Sequence, residues 1–353
     1  MKICFYLAHP AHFHLFKNVI KNLQINHQLL IVYNDKDILD HLVQKEVSIN
    51  AIKIFTNQGG NNFIGLLWQF LQKNIGTYKV LKKFKPDLVL GTPIVVSLIG
   101  ALLNYKSIIV NEDDFDVVSL TANFGYPFAD NIVCPEVCRQ GKFKDKCITY
   151  SGYHELAYLH PDNFEPNKKF VEKYIDTSKP YFLIRFAKLT AHHDTNIRGL
   201  SNDLAIKLIS KLEKYGTVYI TSERSLEKDL EKYRISIDPI DIHHVIAFST
   251  LYIGDSQTMA AEAGVLGTPF IRYNDFSGRI SYLDELENKY QLGYSLSPDY
   301  PNKLLEKVDE ILQIPNYQQV QTDRRNLMLS EKINVATFLT DLIENYSKTL
   351  KKN

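Results

Sequence analysis

From its first residues the chain alternates short apolar runs with segments of helical periodicity, and half-way along the same alternation begins again. Ile3 to Leu7 is an uninterrupted apolar run, the pattern of a strand buried on both faces. Phe13, Phe16, Ile20 and Leu23 then recur at helical spacing, and His27 to Tyr33 is the next apolar run. Strand, helix and strand within about 30 residues make a βαβ unit, which requires a parallel sheet. The pattern continues with strands at Asp87–Leu90, Ser107–Val110 and Asn131–Cys134 and a helix at Ile94–Leu103. Between Tyr150 and Lys179 the chain turns polar, loses periodicity and carries Pro161 and Pro166, with Pro180 next, which reads as a bridge between domains. Strands follow at Tyr181–Phe186, Val218–Thr221, Leu251–Gly254 and Phe270–Tyr273, with helices at Leu204–Leu212, Ile242–Phe248 and Thr258–Leu266. Helices at Leu283–Tyr290, Leu304–Leu312 and Val335–Tyr346 close the chain. Two successive parallel α/β domains leave a cleft between them, and open α/β sheets bind ligands at the carboxyl ends of their strands.

Composition narrows the function classes. The 353 residues carry 41 Lys and Arg against 40 Asp and Glu, a net charge of +1, so no whole-protein field favours nucleic acid. With 45% hydrophobic and 23% charged residues the chain is an ordinary globular one, neither disordered nor collagen-like. Four cysteines make no disulfide framework, and Cys134, Cys138 and Cys147 lack paired zinc spacing and an obvious fourth ligand, so no metal site is expected. This cysteine usage fits a reducing cytoplasm. The N-terminal apolar run is too short for a signal peptide, and the segment nearest to a membrane span, Leu88–Leu103, contains Gly91, Pro93 and Gly100.

Polar clusters fall where the strands end. His9-Pro10-Ala11-His12-Phe13-His14 follows the first strand. A histidine there suits a general base on a sugar hydroxyl, and the next helix offers unpaired N–H groups to an anion; a polar turn with incidental histidines is the plain alternative. Gly254 is followed by Asp255-Ser256-Gln257-Thr258 and an alanine-rich helix containing Glu262. The start of that helix, at Ser256, Gln257 and Thr258, suits a diphosphate, and Glu262 one turn in suits ribose hydroxyls. Capping by Asp255 or Ser256, with Glu262 as a dipole partner, explains the same residues, and both readings can hold. Asn111-Glu112-Asp113-Asp114 closes another apolar run, either as a solvated turn or with Glu112 or Asp113 as a base or acceptor-orienting carboxylate. Arg185 in an otherwise buried strand calls for an anionic partner, a phosphate or an internal carboxylate. His192 and His193 in the following loop suit phosphate binding or acid catalysis. Ser222 and Glu223 at a strand end suit a base or phosphate, and Arg272, followed by Tyr273-Asn274-Asp275, suits closure over a donor.

The combination HPAHFHLFKNVI, SGYHELAYLHP, YITSER, IGDSQTMAAEAGVLGTPFIRYNDFSGRISYL and IENY resembles the prokaryotic domain-of-unknown-function family 354 over nearly the whole chain. That family is grouped with GT-B fold proteins, beside glycosyltransferases and UDP-N-acetylglucosamine 2-epimerase. The resemblance implies an α/β, GT-B fold: two Rossmann-like parallel-sheet domains facing a central cleft. It implies an N-terminal acceptor domain over residues 1–165, a nucleotide-sugar domain over 166–330, and a helix over 331–353 crossing back to the first domain. The peptidoglycan GlcNAc transferase has a glycine-rich turn ending in histidine after its first strand. His12 falls at the equivalent place, without the glycines, and Glu262 matches that enzyme's ribose-holding glutamate. The epimerase has Gly-Asp-Thr after the third strand of its first domain, where this chain has Gly91-Thr92-Pro93. His192 or His193 corresponds loosely to its catalytic histidine. The missing aspartate argues against epimerisation, although Glu112 to Asp114 supply acids by another route.

The expected activity is therefore metal-independent glycosyl transfer from a nucleotide-diphosphate sugar, UDP-linked, in surface polysaccharide or glycoconjugate synthesis, with no cofactor beyond that substrate. His12, His14, Glu112 and Asp113 are the expected catalytic residues. Arg185, His192, His193, Ser222, Glu223, Ser256, Gln257, Thr258, Glu262 and Arg272 are the expected nucleotide-sugar ligands. The alternatives are a 2-epimerase-like or hydrolysing enzyme, which would consume UDP-sugar unaided, and a non-catalytic binding protein, which would turn over nothing. The expected partners are the donor and a glycan or lipid-linked glycan acceptor, not nucleic acid. A lipid-linked acceptor would bring a cytoplasmic protein to the inner membrane face, with Lys348, Lys351 and Lys352 either contributing or merely solvated.

Overall fold

The structure, a computed structural model, describes residues 1–34, 38–46, 48–55, 63–188 and 198–350. Two compact units share the chain: unit 1 holds Met1–Tyr158 together with the stretch from Ile333 onward, and unit 2 holds Leu159–Lys332.

Unit 1 runs β1 (Lys2–Leu7), α1 (Pro10–Leu23), β2 (Gln28–Asn34), α2 (Leu39–Glu46), β3 (Ala51–Ile54), α3 (Phe63–Phe84), β4 (Leu88–Gly91), α4 (Val95–Leu103), β5 (Lys106–Val110), α5 (Ser119–Phe124), β6 (Asn131–Pro135) and β7 (Cys147–Tyr150). Its seven strands form one parallel sheet in the order β3-β2-β1-β4-β5-β6-β7. Unit 2 runs α6 (Lys168–Val171), β8 (Tyr181–Phe186), α7 (Asn202–Leu212), β9 (Thr217–Ser222), α8 (Lys228–Glu231), α9 (Ile242–Ala247), β10 (Leu251–Gly254), α10 (Gln257–Leu266), β11 (Phe270–Tyr273), α11 (Ser281–Asp284), β12 (Gly293–Leu296), α12 (Pro301–Gln313) and α13 (Tyr317–Glu331). Its five strands are also parallel, ordered β12-β11-β10-β8-β9.

The final helix, α14 (Val335–Leu350), belongs to unit 1. Val335, Leu339 and Ile343 are fully buried there. Ile333 N–H donates to Ser151 O at 2.9 Å, and Glu344 lies 2.9 Å from His27 Nε2. Among the described residues no helix is long and apolar enough to cross a membrane.

Local chemistry explains how the strands lead into the helices. His9 caps α1, its Nδ1 accepting from Ala11 N–H, and Pro10 opens the helix where no N–H partner is needed. Gly254 lets β8 and β10 approach: a Cβ there would meet the Arg185 backbone oxygen at 2.8 Å. Gly267 closes α10 at φ +84°, a left-handed conformation that suits glycine. Between Leu283 and Tyr290 the single expected helix is instead one α-turn followed by a π-turn over Glu285–Lys289. This stretch carries Glu287, which meets a buried arginine, Arg272.

Candidate functional site

At the carboxyl edge of the unit 1 sheet, β1 leads to His9 and His12, β4 to Thr92, β5 to Asn111–Asp114, and β7 to Ser151–His154. His12 is half-buried, and its Nδ1 accepts the Ala8 N–H at 3.2 Å. That contact leaves the proton of the neutral ring on Nε2, so His12 presents a donor there rather than a base. His14 lies on the inner face of α1, its ring 5.2 Å from Tyr158 and 5.5 Å from Phe13. Its expected catalytic place is thus corrected to one in the core.

The acidic cluster after β5 divides by partner. Glu112 accepts the His154 backbone N–H at 3.1 Å, and its other carboxylate oxygen is 3.4 Å from His154 Nδ1. Asp114 is fully buried and accepts Arg139 N–H at 2.6 Å, with the Arg139 guanidinium 3.2 Å away. Asp113 is half-exposed, and its backbone carbonyl accepts from the Asn111 side chain at 2.8 Å. Burial pushes the His154 imidazole down to about 3, against the charge of Asp113, so the ring is neutral at working pH. Its Nε2 is buried with no hydrogen-bond partner among the described residues.

At the carboxyl edge of the unit 2 sheet, Arg185 pairs in register with Gly254 across β8 and β10. One guanidinium nitrogen is held by Glu223, whose carboxylate also accepts Lys188 N–H. The Arg185 Nε is buried with no acceptor among the described residues, as are the polar atoms Thr221 Oγ1, Tyr252 Oη and Asp255 Oδ2. Buried polar atoms of this kind are uncommon in a folded chain, and here three lie on the neighbouring strands β9, β8 and β10 and the fourth directly after β10. Asp255 Oδ1 accepts Ala187 N–H at 2.6 Å, and Arg224 stands 3.7 Å from its other oxygen. Burial nevertheless pushes the Asp255 carboxyl up to about 6. Ser256 caps α10 by accepting Met259 N–H, and Ser256, Gln257 and Thr258 at the open start of the helix are half-exposed.

Three expected donor ligands of unit 2 are otherwise engaged. Arg272 is fully buried, with Nε 2.9 Å and a terminal nitrogen 3.2 Å from the carboxylate of Glu287, so it is a core ion pair rather than a lid residue. Glu262 is 4% exposed and lies 3.0 Å from His243 Nε2, joining α10 to α9. Ser222 closes a turn with Arg224, accepting its N–H and donating to its carbonyl. His192 and His193 lie outside the described residues. Sequence reading did not single out His154 or His243; it placed Arg224 in the strand-end motif Thr221-Ser222-Glu223-Arg224, suited to a base or phosphate, and Asp255 only as a candidate cap of α10. The signal for Asp255 was its place directly after a strand-ending glycine, whereas the two histidines meet carboxylates 42 and 19 residues away. Among the described residues no group of three or more His, Cys, Asp or Glu is arranged to hold a metal ion.

The sequence profile of the family described as protein of unknown function DUF354 matches residues 1–283. The chain belongs to this family. No curated protein matches DUF354's member here at a significant level. Several solved structures share its fold. S. aureus MnaA in complex with UDP superposes with a TM-score of 0.70 at 13% identity, over 99% of this chain and 97% of that one. UDP-GlcNAc 2-epimerase from Neisseria meningitidis, bound to UDP-GlcNAc, gives 0.65 at 14% identity over the whole of both chains. The calicheamicin glycosyltransferase CalG4 gives 0.61 at 12% identity over 98% of each. This DUF354 protein therefore has the GT-B fold, two parallel-sheet α/β units of seven and five strands.

Proposed function

We propose that this protein is a glycosyltransferase using a nucleotide-diphosphate sugar, UDP-linked, with no bound metal. The observation that carries the reading is Arg185 Nε, buried and without an acceptor among the described residues, on the strand beside the half-exposed start of α10. A guanidinium with a donor to spare and a helix start with unpaired amides together neutralise a leaving diphosphate without a cation. Glu223 orients Arg185, and the Glu262–His243 pair fixes α10 against α9 from behind.

Unit 1 handles the acceptor in this scheme. His12 donates from Nε2 to an acceptor oxygen, and the half-exposed carboxylate of Asp113 takes the hydroxyl proton. Glu112 holds His154 in place. UDP in two of the similar structures supports the choice of nucleotide, and a lipid-linked glycan acceptor in a surface-polysaccharide pathway is the companion proposal. The epimerase-like reading has one feature in its favour: the Glu112-held neutral His154 beside Asp113 could move protons on a donor sugar with no acceptor present.

A thermal-shift screen against UDP, GDP, CMP, dTDP and their sugars tests the reading, because a ligand that binds only the folded state raises the melting temperature. A shift with one nucleoside diphosphate is expected, followed by turnover that requires an acceptor. Asp113→Asn should keep the shift and lose turnover at least about a hundredfold, the range of a lost general base. His12→Gln, which keeps a donor, should retain more turnover than His12→Ala. No shift at millimolar nucleotide removes the donor assignment, and consumption of UDP-sugar without acceptor moves the function to the epimerase type.

A further inference from the structure

Helix α3 does something the sugar-nucleotide reading does not use. Its second half is anchored in unit 1: Thr77 and Leu81 are buried, and Tyr78, Val80 and Phe84 pack against the cluster that includes Ile54. Further towards its start, from Trp68 to Ile75, the helix carries exposed apolar side chains. Trp68 is 55% exposed, Leu71 42% and Ile75 52%, with Phe70 beside them. Residues 68, 71, 75, 79 and 82 share one face of a helix with 3.6 residues per turn. The exposed stripe therefore reads Trp68, Leu71, Ile75, then Lys79 and Lys82, both exposed. From Phe63 to Pro86 there are five lysines and no acidic residue.

The geometry points to a lipid surface bearing anionic headgroups as the partner of this stripe. Contiguous exposed apolar side chains mark an interaction site. Tryptophan favours the boundary between acyl chains and headgroups, and lysine stems lie along apolar surface while their ammonium groups reach anionic lipid. An apolar stretch followed by a cationic one along one stripe suits a helix whose turns from Trp68 to Ile75 dip into the interface while Lys79 and Lys82 stay among the headgroups. A second copy of the chain fits less well. A parallel two-fold pairing of α3 sets lysine against lysine, and an antiparallel one sets lysine against the apolar stretch. The inference is independent of what unit 2 binds.

Trp68 is the single tryptophan of the chain, so its emission reports this surface directly. The full-length protein is titrated with vesicles of zwitterionic lipid alone and of the same lipid with about a third anionic lipid, at low and high salt. A blue shift and co-sedimentation with the anionic vesicles, weakened by salt, are expected. Lys79→Glu with Lys82→Glu should weaken binding about tenfold or more. Leu71→Glu with Ile75→Glu should abolish it while leaving the melting temperature and any nucleotide shift in place. Protection of wild-type Trp68 from acrylamide by anionic vesicles gives the same answer without a variant. No shift and no protection with any vesicle overturns the proposal. A blue shift that grows with protein concentration in the absence of lipid, with a dimer by light scattering, overturns it in favour of self-association.

Discussion

The carboxyl edges of the two sheets bury opposite kinds of titratable group. Unit 1 buries a histidine, His154, driven down to about 3, beside a carboxylate. Unit 2 buries a carboxylate, Asp255, driven up to about 6, within reach of Arg224. Burial favours the neutral form in both, yet the surroundings differ in sign. The unit 2 edge gathers Arg185, Arg224 and open helix amides, an arrangement for an anion. The unit 1 edge gathers Glu112, Asp113, His12 and the neutral imidazole of His154, an arrangement for moving a proton. Two parallel sheets of similar plan thus carry distinct chemistry in the loops that leave their strands.

The comparison breaks most severely if the core of unit 2 is opened. Arg272→Met leaves Glu287 buried without its partner, and chemical denaturation should show unit 2 losing about 3 to 5 kcal/mol. The double change Arg272→Met with Glu287→Leu should recover much of that loss; an equal loss in both variants would show that packing, not charge, is at stake.

The opposed titrations should give opposed pH slopes. Asp255 has a folded pKa of about 6, above the ordinary carboxylate value of about 4, so the native state takes up its proton first. Its contribution to folding is present below about pH 4 and is lost as the pH rises to about 6, a difference of about 3 kcal/mol. His154 has a folded pKa below the ordinary imidazole value, so its contribution is present above about pH 6.5 and is lost as the pH falls towards 3. Unfolding followed by Trp68, which lies in unit 1, should therefore show stability rising with pH across this range, and His154→Gln should flatten the rise. Asp255→Asn should remove the opposite slope in unit 2, read by circular dichroism after the unit 1 transition is subtracted. Unchanged slopes in either variant would sever that residue from the comparison. The smallest expected effect is local: His9→Ala removes the cap of α1 and should cost unit 1 about 1 kcal/mol in the same denaturation measurement.

How much of this was legible follows from burial. The central strands β1, β4, β5, β8 and β10 are covered on both faces, so they read as plain apolar runs. The strands β3, β7 and β12 have only four residues each at sheet edges, and such runs do not stand out from loops. α3 escaped notice because its apolar residues lie on two faces, one for the core and one exposed, which hides the amphipathic stripe. Arg185, Asp113 and Ser256 were legible as site candidates because each sits at a strand end, where α/β sheets place their chemistry. Arg272 sits at such an end too, but its partner Glu287 comes from a π-turn that no local pattern announces. His154 and His243 became visible only with the tertiary contacts to Glu112 and Glu262.

The central claim is that Arg185 and the start of α10 hold a nucleoside diphosphate. Calorimetric titration of UDP into the wild-type protein, Arg185→Ala and Asp113→Asn tests it most directly. The account predicts binding to wild type and Asp113→Asn with similar affinity, and a loss of about ten- to a hundredfold in Arg185→Ala, the range of a charge-assisted hydrogen bond. Equal UDP affinity in wild type and Arg185→Ala would contradict it.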